Sequence, residues 1–212
     1  MELHGKKINF LGDSITEGCG ASSLDLGYVA VMERMYSLGA ARNYGIGGTR
    51  IARQQVPSEE TKFDQDFCGR YGQMDPDADI VFVFGGTNDH GHGDAPFGYD
   101  DDRTADTFCG ACHVLFSGLK QAFPQALIAV ATPLHRAEEG PKAGSGATLD
   151  DYVRVIRDTA ARYSLPVLDL FETSAICRDT LDKLTDDGLH PNDEGHRILA
   201  QEVGAFLTAL CE

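Results

Sequence analysis

The sequence contains no tryptophan, and it has only 18 lysine and arginine residues against 33 aspartate and glutamate residues, a formal net charge of −15. Nucleic acids and anionic membranes are bound mainly through phosphate contacts from clustered basic side chains. The sequence has no such cluster and no interleaving of basic with aromatic residues. We therefore expect no nucleic-acid partner, and the absence of tryptophan gives no sign of a membrane-interface anchor.

Long apolar runs are also missing, since no segment approaches the roughly 20 residues needed to span a bilayer. The first residues, MELHGKKINFLGDS, lack the apolar core and cleavage pattern of a signal peptide. These absences predict a cytoplasmic protein without a membrane anchor. No linker or composition shift divides the 212 residues, so we expect a single domain over residues 1–212. A homo-oligomer is compatible with this sequence.

Cofactor and metal motifs are absent as well. The six cysteines are scattered, and the one close pair, Cys109 and Cys112, lies in a segment with helical apolar spacing. That spacing predicts a helical core position with reduced thiols, and no second CxxC exists to complete a zinc site. No Walker A sequence is present, and Arg50 replaces the third glycine of a dinucleotide-binding pattern. We expect no cofactor and no metal.

What the sequence does contain is a regular alternation of short apolar runs with helix-like periodic segments. Continuously apolar runs such as IVFVF and LIAVA are typical of parallel strands that are covered by helices on both faces. The pattern therefore predicts an α/β fold with a doubly wound parallel sheet. The predicted strands are KINFL, ARNYG, DIVFVFGG, ALIAVATP and PVLDL, and the predicted helices cover about 28–38, 59–71, 104–123, 149–163 and 193–210. The Gly- and Pro-containing segment 136–150 is typical of a mobile loop.

Residues that follow the predicted strands carry the chemistry, because ligands of such sheets bind beyond the carboxyl ends of the strands. Ser14 follows the first strand, the glycine-rich NYGIGGT the second, and GGTND the third; DDGLHPN lies near the C-terminus. A serine becomes a nucleophile when a neutral imidazole accepts its proton, and an acid can orient that imidazole. Glycine N–H groups and an asparagine amide can stabilise an oxyanion. Together these residues predict acyl transfer.

These four segments occur in the order found in the SGNH hydrolases, also called GDSL-type esterases and lipases, and the chain resembles that family over nearly its whole length. The resemblance implies that Ser14 is the nucleophile, with Asp187 and His190 completing the catalytic triad. It implies an oxyanion hole formed by Ser14, Gly48 and Asn88, although the neighbouring Gly47 is an alternative to Gly48. It also implies a three-layer α/β/α sandwich of flavodoxin-like type with five strands, and cofactor-free hydrolysis of carboxylic esters.

The sequence is compatible with more than one class of substrate. With no lid rich in Trp or Leu, we expect a small-molecule ester with a short acyl group, such as an acetyl ester of a carbohydrate. A lysophospholipase or longer-chain lipase of the same family is an alternative, as is a non-catalytic flavodoxin-like module that binds a small ligand. The segment NDHGHGDAP is interpreted as a loop at the rim of the crevice. In that interpretation His90 and His92, together with Asp13, contact substrate.

Overall fold

The computed structural model describes residues 3–142 and 145–212 and contains a five-stranded sheet. All strand pairs are parallel, and the strand order is β2-β1-β3-β4-β5. The strands are β1 (Lys7–Gly12), β2 (Ala40–Gly45), β3 (Ile80–Phe84), β4 (Leu127–Ala131) and β5 (Val167–Leu168). This is the flavodoxin-like order of a doubly wound sheet. The predicted α/β fold is therefore confirmed, with β5 shorter than the sequence pattern indicated.

The sheet lies between two helical layers, each with its own apolar core. Along β3 the side chains alternate between the faces, so Phe82 faces one core and Val83 the other. The first layer contains α2 (Tyr28–Tyr36) and α9 (Asp193–Cys211), and the second contains α5 (Phe108–Ala122) and α6 (Leu149–Arg162). Two short helices, α7 (Leu170–Thr173) and α8 (Leu181–Leu184), precede α9. All five strands point the same way, so their carboxyl ends meet at one edge of this sandwich.

The long helices lie close to the predicted ranges, and side-chain caps define where α5, α6 and α9 begin. The Thr107 hydroxyl accepts a hydrogen bond from the Gly110 N–H, which begins α5 at Phe108 instead of near residue 104. Thr148 and Asp151 form a capping box at the start of α6. Cys109 and Cys112 are buried in α5 as free thiols, as the helical spacing predicted.

The predicted helix over residues 59–71 is wrong. The chain there forms a 3₁₀ turn (Thr61–Asp64), the short helix α3 (Phe67–Arg70) and a second 3₁₀ turn (Tyr71–Gln73). The Asp66 carboxylate accepts a hydrogen bond from the Gly69 N–H and so starts a new helix inside the predicted one. Arg70 then turns inward, where it is 7% exposed and donates to the Gly12 carbonyl at 2.7 Å. The helix is therefore interrupted here by tertiary contacts of Arg70, and the chain does not continue as a single helix.

The interpretation of NDHGHGDAP as a loop is wrong in its first half, because Thr87–His92 form a helix, α4. Gly86 adopts a left-handed conformation, with φ of 104°, and reverses the chain between β3 and this helix. In the segment 136–150, regular structure begins only with α6 at Leu149; residues 143 and 144 lie outside the described part. Within residues 3–142 and 145–212, no helix has the length and hydropathy needed to cross a membrane.

Candidate active site

Ser14 occupies a tight connection between β1 and the short helix α1 (Ser14–Glu17). The Asp13 carboxylate caps this helix by accepting a hydrogen bond from the Ile15 N–H at 3.0 Å. Gly12 permits the close approach, because a Cβ atom there would lie 1.9 Å from the Thr16 hydroxyl oxygen. The turn therefore holds Ser14 at the first position of a helix, with its side chain at the carboxyl edge of the sheet.

The side chains of Ser14, His190 and Asp187 form a continuous hydrogen-bonded chain. Ser14 Oγ lies 2.9 Å from His190 Nε2, and His190 Nδ1 lies 2.7 Å from Asp187 Oδ2. The other carboxylate oxygen of Asp187 accepts bonds from the backbone N–H groups of Leu189 and His190, at 3.0 and 2.8 Å. The structure thus brings together residues that are 176 positions apart in the sequence.

The loop that carries His190 is fixed on both sides. The His190 carbonyl accepts a hydrogen bond from the Asp186 N–H at 3.2 Å, and the Asn192 side chain caps α9 by accepting from the Gly195 N–H. Partial burial acts to raise the pKa of Asp187, but the hydrogen bonds from the His190 backbone and imidazole outweigh it and hold that pKa below its ordinary value. Asp187 is therefore a carboxylate near neutral pH, able to orient the imidazole.

Within the described residues, neither the Ser14 N–H nor the nearby Gly48 N–H has a hydrogen-bond acceptor. Gly48 has φ of +74°, a left-handed conformation that suits glycine. The adjacent Gly47 N–H is already used, since it donates to Glu17 Oε2 at 2.7 Å. This difference favours Gly48 over Gly47 as a donor to a bound ligand, a distinction that neighbouring glycines in the sequence left open.

Asn88 lies at the start of α4, next to the glycine-rich loop after β2. Its Nδ2 donates to the Thr49 carbonyl at 3.0 Å, which leaves its second N–H without an acceptor among the described residues. Asp89 joins the same two segments, because its carboxylate accepts from the N–H groups of Ile51 and Ala52, both at 2.9 Å. Burial raises the pKa of Asp89 to about 6. The sequence contained Asp89 in GGTND but gave no sign of this role.

The structure places the three predicted rim residues differently from one another. Asp13 and His90 are each 1% exposed, so neither lies at a rim: Asp13 caps α1, and His90 Nε2–H donates to the Gly140 carbonyl at 2.9 Å. His92 is exposed at the end of α4, and both of its ring nitrogens are within hydrogen-bond distance of neighbours. His92 is thus the one rim candidate that lies at the surface.

We predict that Asp13→Asn becomes more stable relative to the wild type as the pH is raised from 5 to 8. Burial raises the pKa of Asp13 from 3.8 to about 7. The stability linked to its protonation is therefore complete below about pH 4 and lost as the pH rises through about 7, a change of roughly 4 kcal/mol. Asparagine does not titrate and keeps an acceptor for the Ile15 N–H. The difference in Tm, variant minus wild type, should therefore increase by at least about 5 °C between pH 5 and pH 8.

Thermal unfolding of both proteins across this pH range checks the prediction. Asp182→Asn is the matched control, because Asp182 is an exposed acid on α8 and the substitution changes the charge equally. A Tm difference that stays constant with pH would mean that Asp13 remains ionised in the folded protein over the whole range.

Comparisons with known proteins agree with this geometry. The sequence model of the GDSL-like lipase/acylhydrolase family matches residues 10–198. An acetylxylan esterase of Xylanibacter ruminicola is 23% identical over 216 residues, which cover 95% of this chain and 43% of that protein. A GDSL lipase of Mycobacterium tuberculosis is 27% identical over 206 residues, covering 95% of this chain and 81% of the relative. The chain therefore spans less than half of the first relative and most of the second.

Solved structures share the fold over the whole sheet and both helical layers. A protein from Lactobacillus plantarum superimposes with a TM-score of 0.82 at 29% identity, covering 97% of this chain and 98% of the other. The matched family region contains every segment that supplies the site, from Ser14 to His190. The chain therefore belongs to the GDSL-like lipase/acylhydrolase family.

Proposed function

We propose that this protein is a serine esterase that hydrolyses carboxylic esters through an acyl-enzyme. The observation that carries the proposal is the hydrogen-bonded chain from Ser14 Oγ through His190 to Asp187, with distances of 2.9 and 2.7 Å. These are the distances at which an imidazole can accept a hydroxyl proton while an acid holds its other nitrogen. Membership of an esterase and acylhydrolase family supports the same reaction class.

In the proposed first half-reaction, Ser14 Oγ attacks the ester carbonyl carbon while His190 Nε2 accepts the hydroxyl proton. Asp187 accepts the Nδ1–H bond and stabilises the imidazolium that forms. The tetrahedral intermediate collapses as its bond to the alcohol oxygen breaks, and His190 returns the proton to that oxygen. Water then attacks the acyl-enzyme by the same route, which releases the carboxylic acid and restores Ser14.

Three donors are proposed to stabilise the oxyanion: the N–H groups of Ser14 and Gly48 and the free N–H of Asn88. They follow β1, β2 and β3, which are neighbours in the sheet. A Cβ atom on Gly47 would lie only 3.7 Å from the Ser14 Cβ, so the glycine-rich loop passes directly beside the nucleophile. Each donor of this kind commonly lowers the activation free energy by about 2.7–4 kcal/mol.

For the substrate, we propose a short acyl ester of a polyhydroxylated alcohol. An open cavity of about 520 Å³ is lined by Asp186 and Asn192, on either side of His190 in the sequence, and by Gly20, where a Cβ atom would lie 3.0 Å from the His190 Cβ. Carboxylate, hydroxyl and amide groups form much of its lining, from Ser22, Asp186, Asn192, Asp193 and Glu194. Such groups are suited to hydrogen-bonding sugar hydroxyls. The name of the acetylxylan esterase relative agrees with this substrate class.

An adjoining groove favours a second candidate, a lipase for longer acyl chains. This groove is lined by Leu26, Val31 and Met35, together with Arg34 and Arg197, and it shares Asp193 and Glu194 with the polar cavity. Leu26 and Met35 are among the exposed large apolar residues of the chain. A non-catalytic binding module is less favoured, because ligand binding alone requires no hydrogen bond from Ser14 to a histidine.

The proposal is tested by labelling with an organophosphonate ester, which phosphonylates a nucleophilic serine and mimics the tetrahedral intermediate. We expect one equivalent to react, the modified peptide to contain Ser14, and ester hydrolysis to be lost in proportion. Rates for p-nitrophenyl acetate, butyrate and octanoate measured beside it should fall as the chain lengthens. Labelling elsewhere, or no labelling with no turnover, would contradict the esterase; faster octanoate hydrolysis would favour the lipase.

A further inference from the structure

A second hydrogen-bonded chain runs behind the proposed oxyanion hole. Arg50 Nη1 lies 3.0 Å from His92 Nδ1, and His92 Nε2 lies 3.1 Å from Asn88 Oδ1. Asn88 and His92 are four residues apart on α4, so their side chains share one face of the helix. Arg50 comes from the glycine-rich loop after β2, and it is 3% exposed although it carries a full charge.

The direction of every hydrogen in this chain follows from donor and acceptor chemistry. A guanidinium can only donate, so His92 Nδ1 is the acceptor and the proton of the neutral ring is on Nε2. That N–H must then face the oxygen of Asn88, not its nitrogen. The amide nitrogen consequently points to the Thr49 carbonyl, at 3.0 Å, and both contacts of the amide agree on one orientation. Rotating the amide by half a turn would place the Asn88 amide N–H against the His92 Nε2–H, and the Asn88 oxygen against the Thr49 carbonyl oxygen.

Arg50 also holds the other side of the oxyanion hole. Its Nη1 donates to the Gly48 carbonyl at 3.2 Å, and its Nη2 donates to the Phe63 carbonyl at 2.9 Å. The Phe63 ring packs against Gly48, since a Cβ atom there would lie 2.8 Å from the Phe63 Cδ1. The Arg50 guanidinium therefore bonds directly to the carbonyl of Gly48. It is also linked to the Asn88 amide, because His92 bonds to both side chains.

We propose that Arg50 and His92 are positioning residues that fix the oxyanion hole, with His92 acting through the Asn88 amide. This inference rests on the proposed esterase function. Without the His92 N–H, the Asn88 amide keeps only its hydrogen bond to the Thr49 carbonyl, and the direction of its second N–H is less firmly fixed. Desolvation of the ring and the adjacent Arg50 charge lower the pKa of His92, which keeps the ring in the neutral form that this arrangement needs.

Substitutions of His92 separate this role from simple packing. His92→Leu removes the donor, and His92→Glu places a carboxylate against Asn88 Oδ1. We expect each to lower kcat for p-nitrophenyl acetate by about 10- to 100-fold, with KM changed less than about 3-fold, since positioning acts on the transition state. His92→Gln supplies an N–H at a similar reach and should stay within about 5-fold of wild type.

A double-mutant cycle tests whether His92 acts through Asn88. Asn88→Ala alone should cost about 10²- to 10³-fold in kcat, the usual effect of losing one oxyanion donor. In that background His92→Leu should add less than about 3-fold, because the amide that it positions is gone. If His92→Leu costs the same factor in both backgrounds, or nothing in the wild type, the positioning role is wrong.

The control is His113→Leu. His113 is a histidine on α5 whose ring nitrogens contact the Tyr163 hydroxyl and the Asp100 carbonyl, both at 3.1 Å. Its removal should lower Tm and leave kcat unchanged. An NMR measurement on ¹⁵N-histidine-labelled protein, with the His92 signals assigned by loss in His92→Gln, gives a readout that does not need turnover. We expect the Nε2–H form for His92; the Nδ1–H form would overturn the inference even if the protein hydrolyses no ester.

Discussion

Replacing Ser14 with alanine is expected to lower kcat/KM for p-nitrophenyl acetate by on the order of 10⁴-fold or more. The substitution removes the atom that would form the acyl bond, whereas His190 and Asp187 keep their own 2.7 Å contact. Alanine is also well suited to the first turn of a helix, and Asp13 still caps α1. The loss should therefore occur without a large change in Tm.

Steady-state kinetics of both proteins, with Tm measured in parallel, checks this result. Ser117→Ala on α5 is the matched control, because within residues 3–142 and 145–212 the Ser117 hydroxyl bonds only to backbone carbonyls of its own helix, including that of His113 at 2.7 Å. We expect that variant to keep wild-type activity. Residual turnover by Ser14→Ala within about 10-fold of wild type would show that another group carries the reaction.

The fold was predictable from the sequence because parallel sheets have a strong local signal. IVFVF in β3 is buried on both faces, and its short length and its content of β-branched and aromatic residues are typical of such a strand. Ser14 and Asn88 were identified as candidate site residues by the rule that ligands of such sheets bind beyond the carboxyl ends of the strands. What could be predicted was therefore which segments meet at the edge of the sheet.

Apart from the contacts among Ser14, His190 and Asp187 that the family resemblance implied, the contacts between those segments could not be predicted. Nothing local distinguishes Gly47 from Gly48; the difference arises from Glu17, which accepts the Gly47 N–H from 30 residues away. The buried positions of Arg50 and Arg70 likewise depend on distant carbonyl groups, for which the sequence has no signal. Charged side chains are expected at the surface on average, so both were missed.

The glycines around His92 also concealed its contact with Asn88 from the sequence analysis. Gly91 and Gly93 made a loop the natural interpretation of NDHGH, and in a loop the four-residue spacing between Asn88 and His92 has no meaning. In the helix the same spacing places one side chain against the other, at 3.1 Å. The error in secondary structure was thus also the reason that the contact between His92 and the proposed oxyanion residue was missed.

Asp187→Asn is expected to lower kcat for p-nitrophenyl acetate by about 10³- to 10⁴-fold, although it changes only one atom of the side chain. The amide oxygen of the new side chain can still accept from the N–H groups of Leu189 and His190, which now bond to Asp187 Oδ1. The amide nitrogen replaces Oδ2, which lies 2.7 Å from His190 Nδ1. Because that nitrogen is a donor, Nδ1 must become an acceptor and the ring proton moves to Nε2. His190 then presents N–H to Ser14 and cannot accept its proton.

The two retained backbone bonds predict that this variant keeps its Tm within a few degrees, so the loss would come from the tautomer of His190 and not from a displaced loop. Asp182→Asn on α8 gives the same charge change at an exposed position away from the triad and should leave kcat unaltered. If Asp187→Asn retains activity within about 10-fold of wild type, then Asp187 does not orient the imidazole. In that case the backbone of the loop alone would hold His190 against Ser14.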